Sequence, residues 1–287
     1  MGLLVSDCQV SYVLTCVGKL DKCLPMHNGY SLDNARRYGW ATVTGSLREE
    51  RKSYFATYLT GKTVLDVGCS AGGYVEHLAG LGFRAIGVEK HEEFLNVAKD
   101  EKRGGYVQGD ATALPFADKT FDCAYCFDVL EHIDDKIALR ELGRVTRQRL
   151  ILAVPKEDDL LFEFGLTFGH YIDGTHLRYY TQQSLSKLIS TVLVNSTFKI
   201  FSDIDTPIKT FVQQVLDGHG TYNAHFEFGP SVVLRCVKYA MHDLRNLHVP
   251  NVSKCLQRAR RSTFLKMLNS VSLEPIHSNL VAVVDLN

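Results

Sequence analysis

The stretch Val64-Leu65-Asp66-Val67-Gly68-Cys69-Ser70-Ala71-Gly72-Gly73-Tyr74-Val75 decides how the chain is read. Its first four residues are a short apolar run carrying one acid, the pattern of a buried parallel strand, and Tyr74 opens an amphipathic helical pattern through Leu78. Between them Gly68, Gly72 and Gly73 let the backbone turn sharply and come close to a ligand. The N–H groups at the start of the helix favour an anionic or polar ligand group. Strand, glycine turn and helix in this order are how doubly wound α/β sheets hold nucleotide-like cofactors.

Other chemistries use similar turns. A dinucleotide fingerprint, G-x-G-x-x-G, needs glycine where this chain has Ser70, and a P-loop closes on Gly-Lys-Ser/Thr where it has Gly72-Gly73-Tyr74. Gly68-Cys69-Ser70-Ala71-Gly72 is also a literal G-x-S-x-G, the nucleophile elbow of serine hydrolases. Chain order permits that reading, since Asp203 and Asp205 precede His219, His225 and His277. The residues before Val64 leave little room for the strands that normally precede an elbow.

VLDVGCSAGG resembles the first motif of class I S-adenosylmethionine (SAM)-dependent methyltransferases, and four further pieces follow in the family's order. Arg84–Glu89 reads as a second strand ending in an acid, about 20 residues past the turn, where a carboxylate can take both ribose hydroxyls. Tyr106–Ala111 with Leu114-Pro115-Phe116 is similar to the family's "GDA..LPF" stretch, whose aspartate accepts from the adenine amine. Thr120–Ile133 is similar to the fourth strand and its "D..LEH" exit, and Arg149–Pro155 to the fifth strand. The resemblance spans residues 64–155 and points to the small-molecule, glycan and natural-product branch. It implies a Rossmann-like, doubly wound α/β sheet of seven strands, with the last strand antiparallel between strands five and six. It also implies S-adenosylmethionine as cofactor, with S-adenosylhomocysteine as product. The cofactor-binding positions it implies are Asp66, Gly68, Cys69, Ser70, Gly72, Glu89, Lys90, Asp110, Ala111, Phe127 and Asp128.

Lys plus Arg equals Asp plus Glu at 32 each, so no global field gathers polyanions, and no basic face for nucleic acid is evident. Arg258-Ala259-Arg260-Arg261 reads as a solvated helix face. Eight cysteines stand without a framework, which suits a reducing compartment. Cys123-x-x-Cys126 has redox or metal spacing but falls inside an apolar strand, where core packing is the better reading. No stretch approaches the ~18 apolar residues of a membrane span. No positive charge precedes Asp7, which argues against a secretory signal, although Gly2 to Ser6 fits a loose myristoylation pattern. The expectation is a cytoplasmic enzyme, with a homodimer left open.

Residues 1–58 read as an N-terminal lid segment, residues 59–206 with 276–287 as the cofactor-binding core, and residues 207–275 as a helical insertion capping the substrate. Residues 33–58 carry a helical pattern burying Ala35, Tyr38, Tyr54, Phe55 and Tyr58. In the resembled family such helices cover the cofactor. Arg36, Arg37, Tyr38, Trp40 and Arg51 are therefore candidates for its carboxylate, with a salt-bridged surface the competing reading for each arginine. Helices are predicted over 72–80, 91–101, 134–146 and 182–194, with caps at Asp134 and Thr181.

Residues 156–180 form a long aromatic connection leaving the fifth strand, at the edge where such sheets bind ligands. Within it Asp173–Thr181 resembles the "D..H.R.YT" segment of glycan and natural-product methyltransferases. Methyl transfer needs acceptor, methyl and sulfur held in line, water kept out, and a base if the acceptor is a hydroxyl or ammonium. The candidates are His132, His170, Asp173 and His176, with His176 and Arg178 read alternatively as a pair anchoring the loop. No Asp/His spacing demands a divalent metal, so metal independence is expected. The function implied is methyl transfer to oxygen or nitrogen of a small metabolite, sugar or natural product. A peptide or protein carboxylate is the alternative acceptor, and hydrolysis through Ser70 the distant one.

Overall fold

The computed structural model describes residues 30–37, 43, 47–101, 104–157, 175–206 and 276–287. Two helices, α1 (Leu32–Arg37) and α2 (Glu49–Tyr58), precede the sheet. The 33–58 pattern is thus not one continuous helix, because Arg48 is extended (φ −68°, ψ 126°) and starts α2 afresh. Strand β1 (Thr63–Val67), α3 (Gly73–Gly80), β2 (Arg84–Glu89), α4 (Glu92–Glu101) and β3 (Gly105–Gln108) then alternate. After them come β4 (Phe121–Phe127), a single 3-10 turn at Leu130–His132, α5 (Asp135–Val145) and β5 (Thr146–Pro155). The described chain ends with α6 (Gln182–Val192), β6 (Thr197–Thr206) and β7 (Ile276–Asp285).

The seven strands run in the order β3-β2-β1-β4-β5-β7-β6. Strands β1 to β5 pair in parallel, and β7 lies antiparallel between β5 and β6. This is the Rossmann-like class I methyltransferase sheet expected from the sequence. The expected helical insertion, residues 207–275, lies outside the described residues.

Both faces of the central strands are apolar because helices cover both, as a parallel sheet requires. Successive residues alternate between them. Leu65, Val67, Ala124, Cys126, Leu150 and Leu152 pack with α5 and α6 on one side. Val64, Tyr125, Phe127, Ile151 and Ala153 pack on the other, with Phe55 of α2 and Tyr74, Val75 and Leu78 of α3. Cys123 and Cys126, three residues apart on β4, consequently face opposite ways. Cys126 is core, while the Cys123 sulfur accepts from the Thr60 N–H at 3.2 Å. The two sulfurs cannot share a metal or a disulfide.

The predicted caps are present. Asp134 accepts from the N–H groups of Lys136 and Ile137, and Thr181 forms a reciprocal capping box with Ser184. Among the described residues no helix is long and apolar enough to cross a membrane.

Candidate cofactor and acceptor site

The strand order reverses between β1 and β4, the switch point at which open α/β sheets bind ligands beyond the carboxyl ends of the strands. The glycine turn leaves β1 there. Gly68 (φ +83°), Ser70 (φ +49°) and Gly72 (φ +78°) all take left-handed conformations. A Cβ on Gly68 would come within 2.3 Å of Val129 Cγ2, and one on Gly72 within 2.6 Å of the Tyr106 ring, so side chains are excluded at both. The N–H groups of Gly68 and Cys69 both donate to the Val88 carbonyl, at 2.9 and 3.0 Å, which ties the turn to β2. Gly72 caps α3 without a side-chain hydrogen bond. Cys69 is buried, and burial pushes its thiol pKa well up.

Glu89 ends β2 and is buried. Its Oε2 accepts from the Ser70 N–H at 2.9 Å and the Tyr30 hydroxyl at 3.2 Å, and its Oε1 accepts from the His91 N–H at 2.9 Å. A carboxylate offers about four lone-pair sites, and here one already receives a hydroxyl, the kind of donor a ribose brings. Helix α1 sits over this end, with Ala35 packed against Ala71 of the turn and Phe94 of α4. Asp66, one strand over, is buried, and burial pushes its carboxyl up to about 8. Asp110 follows β3. The N–H and hydroxyl of Thr112 donate to Asp110 Oδ1 at 2.9 and 2.7 Å, and Lys90 Nζ lies 2.9 Å from Oδ2. Those bonds, the Thr112 N–H foremost, lower the Asp110 pKa to about 2. Ala111 packs against the main core beside it.

At the exit of β4 the structure departs from the sequence reading. Arg51, expected at the cofactor carboxylate or on a salt-bridged surface, is buried and forks onto Asp128, Nη1 to Oδ2 at 2.7 Å and Nη2 to Oδ1 at 3.0 Å. Its Nη2 also stands 3.5 Å from Asp203 Oδ2, and its carbon lies 4.8 Å from the Phe127 ring centre. Burial works against the charged guanidinium, but Asp128 outweighs it and the Arg51 pKa rises. Asn279 of β7 donates to Asp128 Oδ1 at 2.8 Å. Both oxygens of Asp128, placed among the cofactor ligands from sequence, thus already serve α2 and β7. Arg36 is exposed. Tyr38, Trp40 and the Arg37 side chain lie outside the described residues.

His132 closes the 3-10 turn after β4, and the connection from β5 returns to it. Their rings meet edge-on, with the centres of His132 and His176 4.6 Å apart. Thr175 Oγ1 is 3.0 Å from His132 Nδ1. Arg178 anchors the loop by donating to the carbonyls of Leu130, at 2.9 Å, and Ile133, and the His176 ring meets that of His132. His170 and Asp173 lie outside the described residues. Glu131, 1% exposed, joins the pair, so that one ligand atom from each of Glu131, His132 and His176 lies within 4.8 Å of the others. The sequence reading found no such set, because His176 stands 44 residues after His132 in the chain. Tyr30 and Thr112 were also missed, for no local motif marks them.

The hydrolase reading of Ser70 fails on topology. Its candidate acids, Asp203 and Asp205, both sit on β6, four strand positions from β1, roughly 19 Å at sheet spacing. Asp203 instead accepts from Tyr54 and pairs with Arg51.

The strand order and the switch-point turn are those of the class I methyltransferase fold. Comparison with known proteins agrees: residues 65–154 match the methyltransferase domain family. An uncharacterized methyltransferase of Mycobacterium sp. strain JLS is 37% identical over 118 residues, 40% of this chain and 45% of the relative. An O-methyltransferase of Aspergillus nomiae is 32% identical over 149 residues, 49% of this chain and 64% of the relative. The chain therefore spans about half the length of the first curated relatives it matches. The solved structure of a SAM-dependent methyltransferase from Archaeoglobus fulgidus shares the fold, with a TM-score of 0.53 at 16% identity over 89% of this chain and 99% of that one.

Proposed function

We propose that the protein transfers a methyl group from S-adenosylmethionine to an oxygen or nitrogen of a small metabolite, sugar or natural product. The observation that carries this reading is Glu89, a buried carboxylate at the carboxyl end of β2 that closes the glycine turn through Ser70 and already accepts a hydroxyl. In this reading Glu89 takes the ribose, Asp110 the adenine amine, and the left-handed turn from Gly68 to Gly72 the amino-acid end. The bound cofactor supplies an electrophilic methyl on a sulfonium. The protein's own task is to orient the acceptor against it and to exclude water.

The acceptor side is assigned to the His132 and His176 rings, beside the β4 exit that the glycine turn touches through Val129. The kinship with an O-methyltransferase of Aspergillus nomiae supports an oxygen acceptor on a small molecule.

Calorimetry tests the cofactor half. The full chain should bind S-adenosylmethionine and S-adenosylhomocysteine but not NAD. Glu89→Ala should weaken binding at least tenfold, with its circular dichroism unchanged. Full affinity in Glu89→Ala, or no binding by folded wild-type protein, would overturn the reading.

A further inference from the structure

One carboxylate and two imidazoles converge at the end of β4, the ligand atoms of Glu131, His132 and His176 all within 4.8 Å of one another. We infer that this cluster is a binding site for a divalent transition metal, Zn2+ or a cation of the same ligand preference. Two histidines and one carboxylate are the donor set of open catalytic zinc sites and of facial-triad iron sites. The imidazoles argue against Mg2+ and Ca2+, which prefer oxygen ligands throughout. Tetrahedral ligands ~2.1 Å from a metal stand roughly 3.4 Å apart. A cation would therefore draw this trio in by about an ångström, within the reach of side-chain torsions.

Contacts that do not involve the three ligating groups hold the site together. The Leu177 N–H donates to the Glu131 carbonyl at 2.8 Å. Arg178 bonds the Leu130 and Ile133 carbonyls, and its Nε lies 3.7 Å from Asp135 Oδ2. The loop bearing His176 is thereby clamped onto the turn bearing Glu131 and His132. Thr175, 3.0 Å from His132 Nδ1, is the outer hydrogen-bond partner that characteristically fixes a ligating imidazole. Glu131 is almost wholly buried, and a dication offsets the cost of holding a carboxylate there.

Three protein ligands leave a coordination position open. An acceptor hydroxyl in that position would lose its proton to solvent more readily. Its oxygen pair would then form the new bond to the methyl carbon as the carbon–sulfur bond breaks and its electrons pass to sulfur. That role rests on the methyltransferase reading; cation binding does not.

The probe is Co2+, added to tag-free full-length protein after dialysis against a chelator, with no methyl donor present. One equivalent should produce visible absorption that Zn2+ bleaches, and mass spectrometry should find one Zn2+ per chain. His176→Asn and Glu131→Gln should each weaken Co2+ binding at least tenfold, and Thr175→Val about tenfold, with unchanged circular dichroism. A wild-type chain that takes up neither ion overturns the proposal, as does His176→Asn protein that binds as wild type does. Calorimetry of the metal-free chain with S-adenosylmethionine separates this outcome from failure of the cofactor reading.

Discussion

At the residue scale, Asp66 shows what the switch point demands of a side chain. It stands in an apolar strand, buried on a sheet covered on both faces, and burial pushes its carboxyl up to about 8 from a usual 3.8. The nearby Tyr125 hydroxyl opposes that rise only in part. An unfolded Asp66 releases its proton near pH 4, whereas the folded one keeps it to about pH 8. Across that window the native chain holds the extra proton, so the Asp66 contribution to stability falls as pH rises and levels off above it. The slope reaches about 1.4 kcal/mol per pH unit. Asp66→Asn cannot ionise, so its melting temperature should lose this decline between about pH 5 and pH 8. A pH profile parallel to that of wild type would overturn the assignment.

Single residues elsewhere were legible to different degrees. Glu89 and Asp110 stand where the second and third strands end, and strand ends are visible in a sequence. Tyr30 on Glu89 was not legible, because nothing local in Asn28-Gly29-Tyr30 aims a hydroxyl at a carboxylate 59 positions away.

At the element scale, amphipathic periods and caps carry nearly all the information. Helix α6 begins where Thr181 supplies a cap and places Leu185, Leu188 and Ile189 on one buried stripe. Thr181→Ala removes one half of the capping box and should cost about 1 kcal/mol in urea unfolding. Thr181→Asp should retain most of that stability, since an aspartate caps as well and favours the positive end of the helix dipole. The break before α2 escaped the periodic reading. The apolar positions on either side of Leu47-Arg48 continue a helical phase, although the backbone at Arg48 leaves it. The long connection after β5 shows the converse. Its aromatic and histidine content marked it as a site, yet only contact with the 3-10 turn defined which of its residues face His132.

At the scale of the whole molecule, one ion cluster, buried at Arg51 and Asp203 and exposed at Asp128, joins helix α2 to the β4-to-β6 half of the sheet. Arg51 of α2 binds Asp128 beyond β4 and approaches Asp203 of β6, while Asn279 of β7 closes on Asp128. Asp203 is fully buried and also accepts from Tyr54. Arg51→Leu would leave that carboxylate without its cation and should destabilise the protein by about 3–5 kcal/mol in chemical unfolding. Arg51→Lys should recover only part, because an ammonium cannot fork onto Asp128 while reaching Asp203. Loss of less than about 1 kcal/mol in Arg51→Leu, the range of exposed pairs, would show that the cluster is not a lock.

The succession of strands and helices and the place of the glycine turn follow from the sequence alone, because hydrophobic period, strand-end acids and glycines are local signals that survive without knowledge of neighbours. The order of strands in the sheet was implied only by the resemblance those motifs carry. Three things belong to the tertiary structure. Cys123 and Cys126 are parted by the pleat, Arg51 is drawn inward by two acids distant in sequence, and Glu131, His132 and His176 become one cluster. The last two depend on side chains from separate elements meeting at the carboxyl end of the sheet, and no spacing along the chain encodes that meeting.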